Sequence, residues 1–271
     1  MVASHRDCHR RDNNPVSDKT RIIRGGTWGV ALQERLATST IGTSQWMQEQ
    51  TRLLKDDINS RVGLLQLRSR ECCLKLYVSK SARQSLLFRL GQSRAVRSFD
   101  IAHRLTAARV PVPEPLACLW VPEGMLLLTQ GLAGSRNLNE IWREQGEPQE
   151  PAGLLQAAGV AVARLHRGGY AHGDCKWSNL LWDDQQCYLV DLDDTRKAPL
   201  AGVRQARDLA RFTLNAEELG ITAELYALFL GSYLHGTGAS RDSVVAAMLP
   251  WLETLRQRHS VKYGERGHRL F

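Results

Sequence analysis

The sequence predicts an α+β fold with two lobes, a small β-rich N-terminal lobe and a larger, mostly helical C-terminal lobe. Two observations support this prediction. Short β-prone runs are concentrated in residues 27–130, whereas apolar residues at helical spacing dominate from residue 137 onward. With 271 residues, 43% of them hydrophobic, the chain can bury a substantial core, as one two-lobed unit or as two small domains. We therefore divide it into residues 1–26, 27–130 and 131–271.

The N-terminal half is predicted to contain an extension and then a sheet. Residues 1–26 are polar and charged, which predicts a mobile extension without chemistry of its own. Residues 27–130 are expected to form the N-terminal lobe, a β-sheet with one helix. The expected strands lie near residues 64–67, 72–78, 116–120 and 125–129, and the helix lies near residues 95–107.

The C-terminal lobe is predicted to begin with a capped helix. Asn137 is expected to cap it, with Glu140 three residues later as the second member of a capping box. Apolar residues then recur at helical spacing in residues 152–167, and two glycines end that helix. Two short apolar runs, residues 180–182 and 187–190, flank a polar turn and predict a hairpin.

The most informative stretch is residues 172–179 (HGDCKWSN), followed by residues 190–193 (VDLD). Asp174 is expected at the start of a tight loop, where it accepts the proton of an attacking hydroxyl. Asn179 faces the same cleft, and the predicted hairpin carries Asp191 back beside it. Magnesium prefers such hard oxygen ligands, completed by phosphate oxygens and water. The pattern predicts phosphoryl transfer, with Asp174 as the base and Asn179 and Asp191 as metal ligands.

Two lysines complete the predicted site. Lys75 interrupts an apolar β-prone run, and a lysine buried in a strand needs an anionic partner. Kinases place such a lysine against nucleotide phosphates and a helix carboxylate, for which Asp100 is the candidate. The alternative is that Lys75 extends from an edge strand into water. Lys176, two residues past Asp174, is expected to stabilise charge on the transferred phosphate; its alternative is an ordinary surface lysine.

With these residues in view, the chain resembles the lipopolysaccharide kinase family, bacterial enzymes that phosphorylate Kdo or heptose of the inner core and have a small protein-kinase-like fold. The resemblance extends from about residue 53 to about residue 212. It includes residues 108–115 (ARVPVPEP), which are similar to the family's proline-rich link, and residues 207–212 (RDLARF), which are similar to its arginine-aspartate helix. The His-Gly-Asp motif alone is less specific, because other small-molecule phosphotransferases share it.

The resemblance implies ATP and Mg²⁺ as cofactors. In the kinase arrangement, a backbone edge at Gln130 and Leu132 would hydrogen-bond adenine. Asp208 is expected to brace the catalytic loop from a helix. Arg204, Arg207 and Arg211 are expected to contact an anionic acceptor, and Arg207 and Arg211, four residues apart, would share one helix face.

Two features depart from the usual kinase pattern. Only Gly63 lies in residues 57–70, where a glycine-rich loop would cradle the phosphates. Leu192 and Asp193 stand where protein kinases have Phe-Gly. The missing glycine-rich loop, together with Asp100 in place of the usual glutamate, motivates one alternative, a non-catalytic kinase-like binding protein.

The acceptor is predicted to be a sugar hydroxyl of the lipopolysaccharide inner core. Gly173 occupies the position where regulated protein kinases carry a phosphate-receiving arginine. About a dozen residues separate Asp191 from the helix expected near Val203, too few for a long peptide-docking segment. A kinase for another small molecule or for protein Ser, Thr or Tyr remains the second alternative.

Charge and composition set the expected surroundings. The formal net charge of +8 suits an anionic glycolipid and peripheral contact with the inner membrane surface. Nucleic acid is not expected as a partner, because no zinc-finger spacing or RNA-recognition signature accompanies the arginines. The six cysteines have no paired C-x-x-C spacing, and the N-terminus has no apolar signal-peptide region. These features favour a cytoplasmic location.

Overall fold

The N-terminal lobe is built on one antiparallel sheet of six strands. The computed structural model describes residues 20–145, 151–264 and 267–271. The strands are β1 (Arg21–Arg24), β2 (Arg52–Asp56), β3 (Ser60–Leu67), β4 (Arg70–Val78), β5 (Pro115–Val121) and β6 (Gly124–Gln130). Their order is β1-β5-β6-β4-β3-β2, so β4 lies between β6 and β3 in the interior of the sheet. The four predicted strands correspond to β3 through β6.

Strand β4 presents different residues to the two faces of the sheet. Cys72, Leu74 and Leu76 are fully buried and belong to the core on one face. Because side chains alternate along a strand, Lys75 and Tyr77 lie on the other face. The residue pattern that makes β4 a strand therefore also directs Lys75 away from this core.

The N-terminal lobe contains four helices, so the prediction of a single helix was wrong. They are α1 (Gly26–Ala37), α2 (Thr43–Gln50), α3 (Ala82–Arg89) and α4 (Arg94–Ala107). Helices α1 and α2 cover the sheet through Leu32, Leu36, Trp46 and Met47, which are buried in the same cluster as Leu74. The apolar faces of α1 and α2 are short and interrupted by polar residues. These two helices are therefore stabilised mainly by packing against the sheet.

The predicted extension was too long at its C-terminal end. Residues 1–19 lie outside the described residues, but Arg21–Arg24 form an edge strand against β5. The apolar pair between the two arginines explains the difference. Ile22 packs with the core that contains Leu74, and Ile23 packs with a separate cluster on the other side of the sheet.

Helix α4 contributes to the cores of both lobes. Ser93 caps it, because its Oγ accepts a hydrogen bond from the Val96 N–H at 3.1 Å. Ala95 and Val96 near its start pack in an N-terminal-lobe cluster. Ile101, Ala102 and Leu105 near its end belong to the C-terminal-lobe core. The predicted helix is confirmed, and it joins the two lobes.

The C-terminal lobe is mostly helical, as predicted. Its helices are α5 (Leu138–Gln145), α6 (Pro151–Arg167), α7 (Val203–Glu218), α8 (Ala223–Thr237) and α9 (Arg241–Tyr263). Its short strands are β7 (Arg136–Asn137), β8 (Tyr170–Ala171), β9 (Leu180–Trp182), β10 (Cys187–Leu189) and β11 (Arg196–Lys197). Strands β9 and β10 pair as the expected hairpin. Within the described ranges, no helix has the length and apolar character needed to cross a membrane.

Trp177 anchors the segment between β8 and β9 in the C-terminal core. Its side chain is fully buried, and its indole N–H donates to the Phe212 carbonyl at 3.1 Å. Its ring packs against Phe212 and, edge-on, against Trp142, and Phe212 in turn stacks on Phe229. Buried aromatic rings of this kind contribute large apolar areas and directional contacts. The loop that carries Asp174 is therefore attached to a rigid aromatic cluster.

We predict that Gly159→Ala destabilises the C-terminal lobe by about 1–3 kcal/mol, because a new methyl group would overpack the α6–α8 contact. A Cβ at Gly159 would lie 2.4 Å from the Phe229 carbonyl oxygen of α8. Urea denaturation measures the change. The control is Gly153→Ala in the same helix, where a Cβ meets nothing within 4 Å. Equal free energies of unfolding for the two variants would contradict the prediction.

Candidate active site

The loop that begins at His172 is held by a carboxylate from α7. Asp208, 1% exposed, accepts hydrogen bonds from the N–H groups of His172 at 2.6 Å and Gly173 at 2.8 Å. Gly173 has φ of +85°, and a Cβ there would lie 2.6 Å from the Asp194 carbonyl oxygen. Glycine is therefore required at this turn. The bracing role predicted for Asp208 is confirmed.

His172 connects this loop to the end of the β9–β10 hairpin. The imidazole is fully buried, with Nε2 3.0 Å from the Val190 carbonyl oxygen and Nδ1 3.3 Å from the Asp174 N–H. These partners assign the proton to Nε2, which donates to Val190, while Nδ1 accepts from Asp174. Both ring nitrogens are used in holding the backbone, so His172 positions Asp174.

Asp174 lies among three polar side chains. Its carboxylate is 2.8 Å from Lys176 Nζ, 3.1 Å from Arg211 Nη1 and 3.1 Å from Asn179 Nδ2. Burial raises the pKa of Asp174, but the hydrogen bond and charge of Lys176 and the charge of Arg211 outweigh it, and the pKa falls below its ordinary value. The carboxylate is therefore ionised at neutral pH and able to accept a hydrogen bond from a hydroxyl.

Asn179 and Asp191 are brought together by the hairpin, as predicted. The Val190 N–H donates to the Asn179 carbonyl at 3.0 Å, which places Asp191 one residue away. Asp191 has φ of 59° and ψ of 60°, in the left-handed region. Such backbone conformations in non-glycine residues are concentrated at functional sites. The turn directs the Asp191 carboxylate toward the sheet of the N-terminal lobe, where Lys75 lies.

The residues present fit a magnesium ion that also binds phosphate. The amide nitrogen of Asn179 donates to Asp174, which leaves its carboxamide oxygen for a cation. One oxygen of Asp191 is paired with Lys75, and the other accepts no hydrogen bond from the described residues. No group of three or more His, Cys, Asp or Glu in the described ranges could hold a metal. Such a magnesium ion therefore needs phosphate oxygens to complete its ligands.

Lys75 forms ion pairs with two carboxylates of the C-terminal lobe. Its Nζ is 2.7 Å from Asp191 and 2.8 Å from Asp193. Burial lowers the pKa of Lys75, but the charges of Asp193 and Asp191 outweigh burial and raise it above the ordinary value. Strand β4 is interior, with β3 and β6 on either side, so the edge-strand alternative for Lys75 was wrong. Lys75 connects the two lobes electrostatically.

Asp100 does not pair with Lys75, contrary to prediction. It forms an ion pair with Arg24 at 2.9 Å, and both side chains are about two-fifths exposed. The reason is the position of Asp100 around the axis of α4. Ser98, two residues earlier on α4, faces the lysine site, and two residues correspond to a rotation of about 200° around a helix. Asp100 therefore lies on the other side of α4.

Asp193 supplies the carboxylate that sequence reasoning assigned to Asp100. It accepts hydrogen bonds from Lys75 Nζ at 2.8 Å, Tyr77 OH at 2.6 Å and Ser98 Oγ at 3.0 Å. Burial raises the pKa of Asp193, but Lys75, Tyr77 and Ser98 together lower it below the ordinary value. The sequence feature that pointed to this carboxylate was the second aspartate of VDLD, since Leu192 and Asp193 stand where protein kinases have Phe-Gly.

The connection between the lobes contains a backbone donor that is open at Leu132. The Gln130 N–H donates to Glu114, and the Gly131 N–H donates to Glu71. The N–H of Leu132 makes no hydrogen bond with any residue in the described ranges. Leu132 is thus available to a nucleobase, whereas the N–H of Gln130 is already engaged. Adenine contact by these two residues stays a prediction.

The position of a glycine-rich loop is taken by a tight turn between β2 and β3. The Asp57 carboxylate accepts the N–H groups of Asn59 at 2.8 Å and Ser60 at 2.7 Å, which closes the turn. Ile58 at its tip is 90% exposed. The N–H groups of Asn59 and Ser60 are therefore used within the turn, where a glycine-rich loop would offer such groups to phosphate.

Cys175, next to Asp174, is fully buried. Burial raises the pKa of its thiol well above the ordinary value, so it is not an activated nucleophile.

Two of the three arginines expected to contact an acceptor have side-chain partners within the protein. The guanidinium of Arg207 stacks on Trp251 at 3.8 Å, and Arg211 contacts Asp174. Contact of Arg204, Arg207 and Arg211 with an acceptor stays a prediction.

Comparisons with known proteins agree with this geometry. Residues 44–233 match the sequence profile of the lipopolysaccharide kinase (Kdo/WaaP) family. A 3-deoxy-D-manno-octulosonic acid kinase of Vibrio parahaemolyticus is 32% identical over 111 residues, covering 39% of this chain and 45% of that protein. One of Xanthomonas campestris pv. campestris is 32% identical over 129 residues, covering 45% and 49%. The match thus spans less than half the length of either relative.

A solved structure has the same fold. A WaaP chain in complex with acyl carrier protein superposes with a TM-score of 0.56 and 20% identity, covering 88% of this chain and 98% of that chain. At this identity the similarity establishes the fold alone. It confirms the predicted two-lobed α+β architecture.

We predict that Asp193→Asn destabilises the protein by about 2 kcal/mol at pH 7, because Lys75, Tyr77 and Ser98 lose the charged acceptor of their hydrogen bonds. Its lowered pKa means that Asp193 stabilises the fold above the ordinary pKa of 3.8 and ceases to do so as pH falls through the lowered value. The difference from wild type should therefore shrink in acid. Urea denaturation between pH 7 and pH 3 measures it.

The control is Asp194→Asn in the same segment. Asp194 is exposed, and its carboxylate forms no ion pair with the described residues, so we expect a change within about 0.5 kcal/mol. A destabilisation by Asp193→Asn that stayed constant across the pH range would contradict the assigned charge on Asp193.

Proposed function

The chain belongs to the lipopolysaccharide kinase (Kdo/WaaP) family, and from this premise we propose that it transfers the γ-phosphoryl group of ATP to a sugar hydroxyl of the lipopolysaccharide inner core. The observation that carries the proposal is the position of Asp174. It is an ionised carboxylate, braced by Asp208 through the preceding two residues, and it lies beside Lys176 and Asn179. A base and a charge-stabilising group thereby occupy one loop.

In the proposed reaction, Asp174 accepts the hydrogen bond of the acceptor hydroxyl and takes its proton as the oxygen attacks the γ-phosphorus. The bond between the γ-phosphorus and the bridging oxygen breaks, and ADP leaves. Lys176 and Arg211 both contact the Asp174 carboxylate and lie where negative charge develops, so they stabilise the transferred group. Positioning and electrostatics supply most of the catalysis in this class of reaction.

Lys75 is the proposed ligand of the α and β phosphates. It is held in place by Asp193, and its second partner, Asp191, is a proposed metal ligand with Asn179. Magnesium would supply charge neutralisation at the phosphates. On nucleotide binding, Lys75 exchanges its contact with Asp191 for phosphate oxygens while Asp193 keeps its orientation. The adenine is proposed to bind at Gln130 and Leu132, where the Leu132 N–H makes no hydrogen bond with a described residue.

The proposed acceptor is Kdo, because the relatives with matching sequence are 3-deoxy-D-manno-octulosonic acid kinases. Kdo carries a carboxylate, and the cationic side chains of Lys176 and Arg211 lie next to the proposed base. The segment between Asp191 and α7 supports a small acceptor, since it holds only a 3-10 turn and the two-residue strand β11 before Val203. It has no extended surface for a peptide.

We predict that Asp174→Asn lowers turnover by at least about a hundredfold, because a general base contributes about 10²–10⁴-fold. The assay measures transfer from labelled Mg-ATP to a Kdo-containing lipid A precursor, with a generic protein substrate in parallel. The matched control is Asp184→Asn, an exposed turn residue whose left-handed φ of 68° asparagine also tolerates.

Each result of this assay distinguishes a function. Transfer to the glycolipid that is lost in Asp174→Asn and kept in Asp184→Asn supports the proposal. If only the protein substrate is labelled, the proposed glycolipid acceptor is wrong and the acceptor is a protein. Mg-ATP binding without transfer to any acceptor would favour a non-catalytic binding protein, the alternative motivated by the tight turn at Asp57 and the absence of glycine there.

We also propose peripheral contact with an anionic membrane surface through α3. Leu86 and Leu90 are 58% and 64% exposed, Leu87 beside them is 37% exposed, and the formal net charge is +8. Exposed leucines beside cations suit the boundary between headgroups and acyl chains. The surface of α3 therefore offers both interactions that peripheral binding uses.

We predict that Leu86→Ser with Leu90→Ser weakens flotation with anionic phosphatidylglycerol vesicles about tenfold or more, since burying each leucine contributes about 1.5–3 kcal/mol. The control is Val261→Ser, an apolar residue that is 91% exposed on α9. Equal flotation of the leucine variant, the control and the wild type would exclude α3 as the contact.

A further inference from the structure

A cavity lies beside α4. Its volume is 780 Å³, within the range of small-molecule sites. The wall is formed by the end of α3, the start and middle of α4, Tyr170 of β8 and residues 195–197 around β11. We name it the α4 cavity. None of the catalytic or metal-binding residues proposed above lines it.

The lining of the α4 cavity is strongly cationic. Six cationic side chains contribute to it: Arg24, Arg94, Arg97, Arg104, Arg196 and Lys197. Its one carboxylate, Asp100, is already paired with Arg24. None of the other five cations forms an ion pair with a described residue. The cavity therefore holds positive charge that the chain itself leaves unbalanced.

Two of these arginines are half-buried, and one of them has a donor without a partner among the described residues. Arg97 Nη2 donates to the Asp193 carbonyl at 3.0 Å, but its Nε is buried and has no hydrogen-bond partner. Arg196 Nη1 lies 3.1 Å from the same carbonyl and 2.7 Å from that of Thr195. Burial, and then the charges of Arg196 and Arg94, lower the pKa of Arg97. An anion would relieve this repulsion and accept from the free N–H.

The chemistry of the lining selects a phosphate group. Guanidinium groups form bidentate, charge-assisted hydrogen bonds with phosphate, and several converge here. Ser93 and Arg94, at the start of α4, also line the cavity, so the positive end of the helix dipole adds to the same field. A phosphate monoester or pyrophosphate has enough charge and acceptor oxygens to use these donors together.

We propose that the α4 cavity binds a phosphate-bearing anion at a site separate from the nucleotide cleft. This goes beyond the proposed function, because phosphoryl transfer at Asp174 requires no occupant there. The site nevertheless adjoins the nucleotide cleft, since Arg97 and Arg196 hold the carbonyl of Asp193, whose carboxylate holds Lys75. The phosphate is borne by a lipid or by a soluble metabolite, which share this chemistry.

The test measures pyrophosphate binding to the full chain by calorimetry in magnesium-free buffer, where no phosphoryl transfer occurs. Arg94→Gln with Lys197→Gln removes two exposed cations at the rim of the cavity and leaves the half-buried arginines in place. We expect one saturable site in the wild type and an increase in Kd of about tenfold or more in this variant, the effect of losing one charge-assisted hydrogen bond. Arg83→Gln with Arg258→Gln, two exposed cations outside the cavity, removes the same charge and should leave Kd within about twofold of wild type.

The outcomes separate the possibilities. Absence of saturable binding, or equal weakening by both double variants, overturns the proposal. An unchanged Kd in the rim variant, Arg94→Gln with Lys197→Gln, also overturns the proposal. It would place pyrophosphate in the nucleotide cleft. Flotation with phosphatidylcholine vesicles containing phosphatidic acid identifies the source. Weakening by the rim variant in both assays assigns a lipid-borne phosphate, and weakening with pyrophosphate alone assigns a soluble one.

Discussion

The pairing of Lys75 with Asp191 and Asp193 is the interaction on which the geometry of the site depends. It joins β4 of the N-terminal lobe to the segment that follows the β9–β10 hairpin of the C-terminal lobe. Burying these charges is costly unless they are paired and hydrogen-bonded, and Tyr77 and Ser98 complete the hydrogen bonds of Asp193. One network of ion pairs and hydrogen bonds therefore fixes how the two lobes face each other.

The C-terminal side of the cleft is positioned by packing and by backbone hydrogen bonds. Trp177 attaches the loop to an aromatic cluster, and Asp208 satisfies two of its N–H groups from α7. His172 then connects the loop to Val190. Because these contacts use buried groups with few alternative partners, Asp174 has little freedom to turn away from the cleft. Orientation of the proposed base therefore follows from the core.

Local patterns in the sequence predicted much of the fold and of the site. Asn179 and Asp191 are brought together by a short hairpin, so their proximity follows from a few residues of chain. The partner of Lys75 was not predictable in this way, because Asp193 lies 118 residues away in the sequence. Whether Ser98 or Asp100 faces the lysine depends on the rotational position of each residue around the axis of α4. Strand β1 and helices α1 and α2 were missed because their apolar faces are too short to stand out without the sheet they cover.

Helix α4 belongs to two cores at once. Its first turn is buried with the N-terminal sheet, and Ile101 and Leu105 are buried in the C-terminal lobe. Swinging α4 outward would expose these side chains, at about 1.5–3 kcal/mol for each large aliphatic residue. Rotation of this helix away from the sheet is therefore disfavoured. Ser98 of α4, Lys75 and Asp193 are thus brought together as the chain folds.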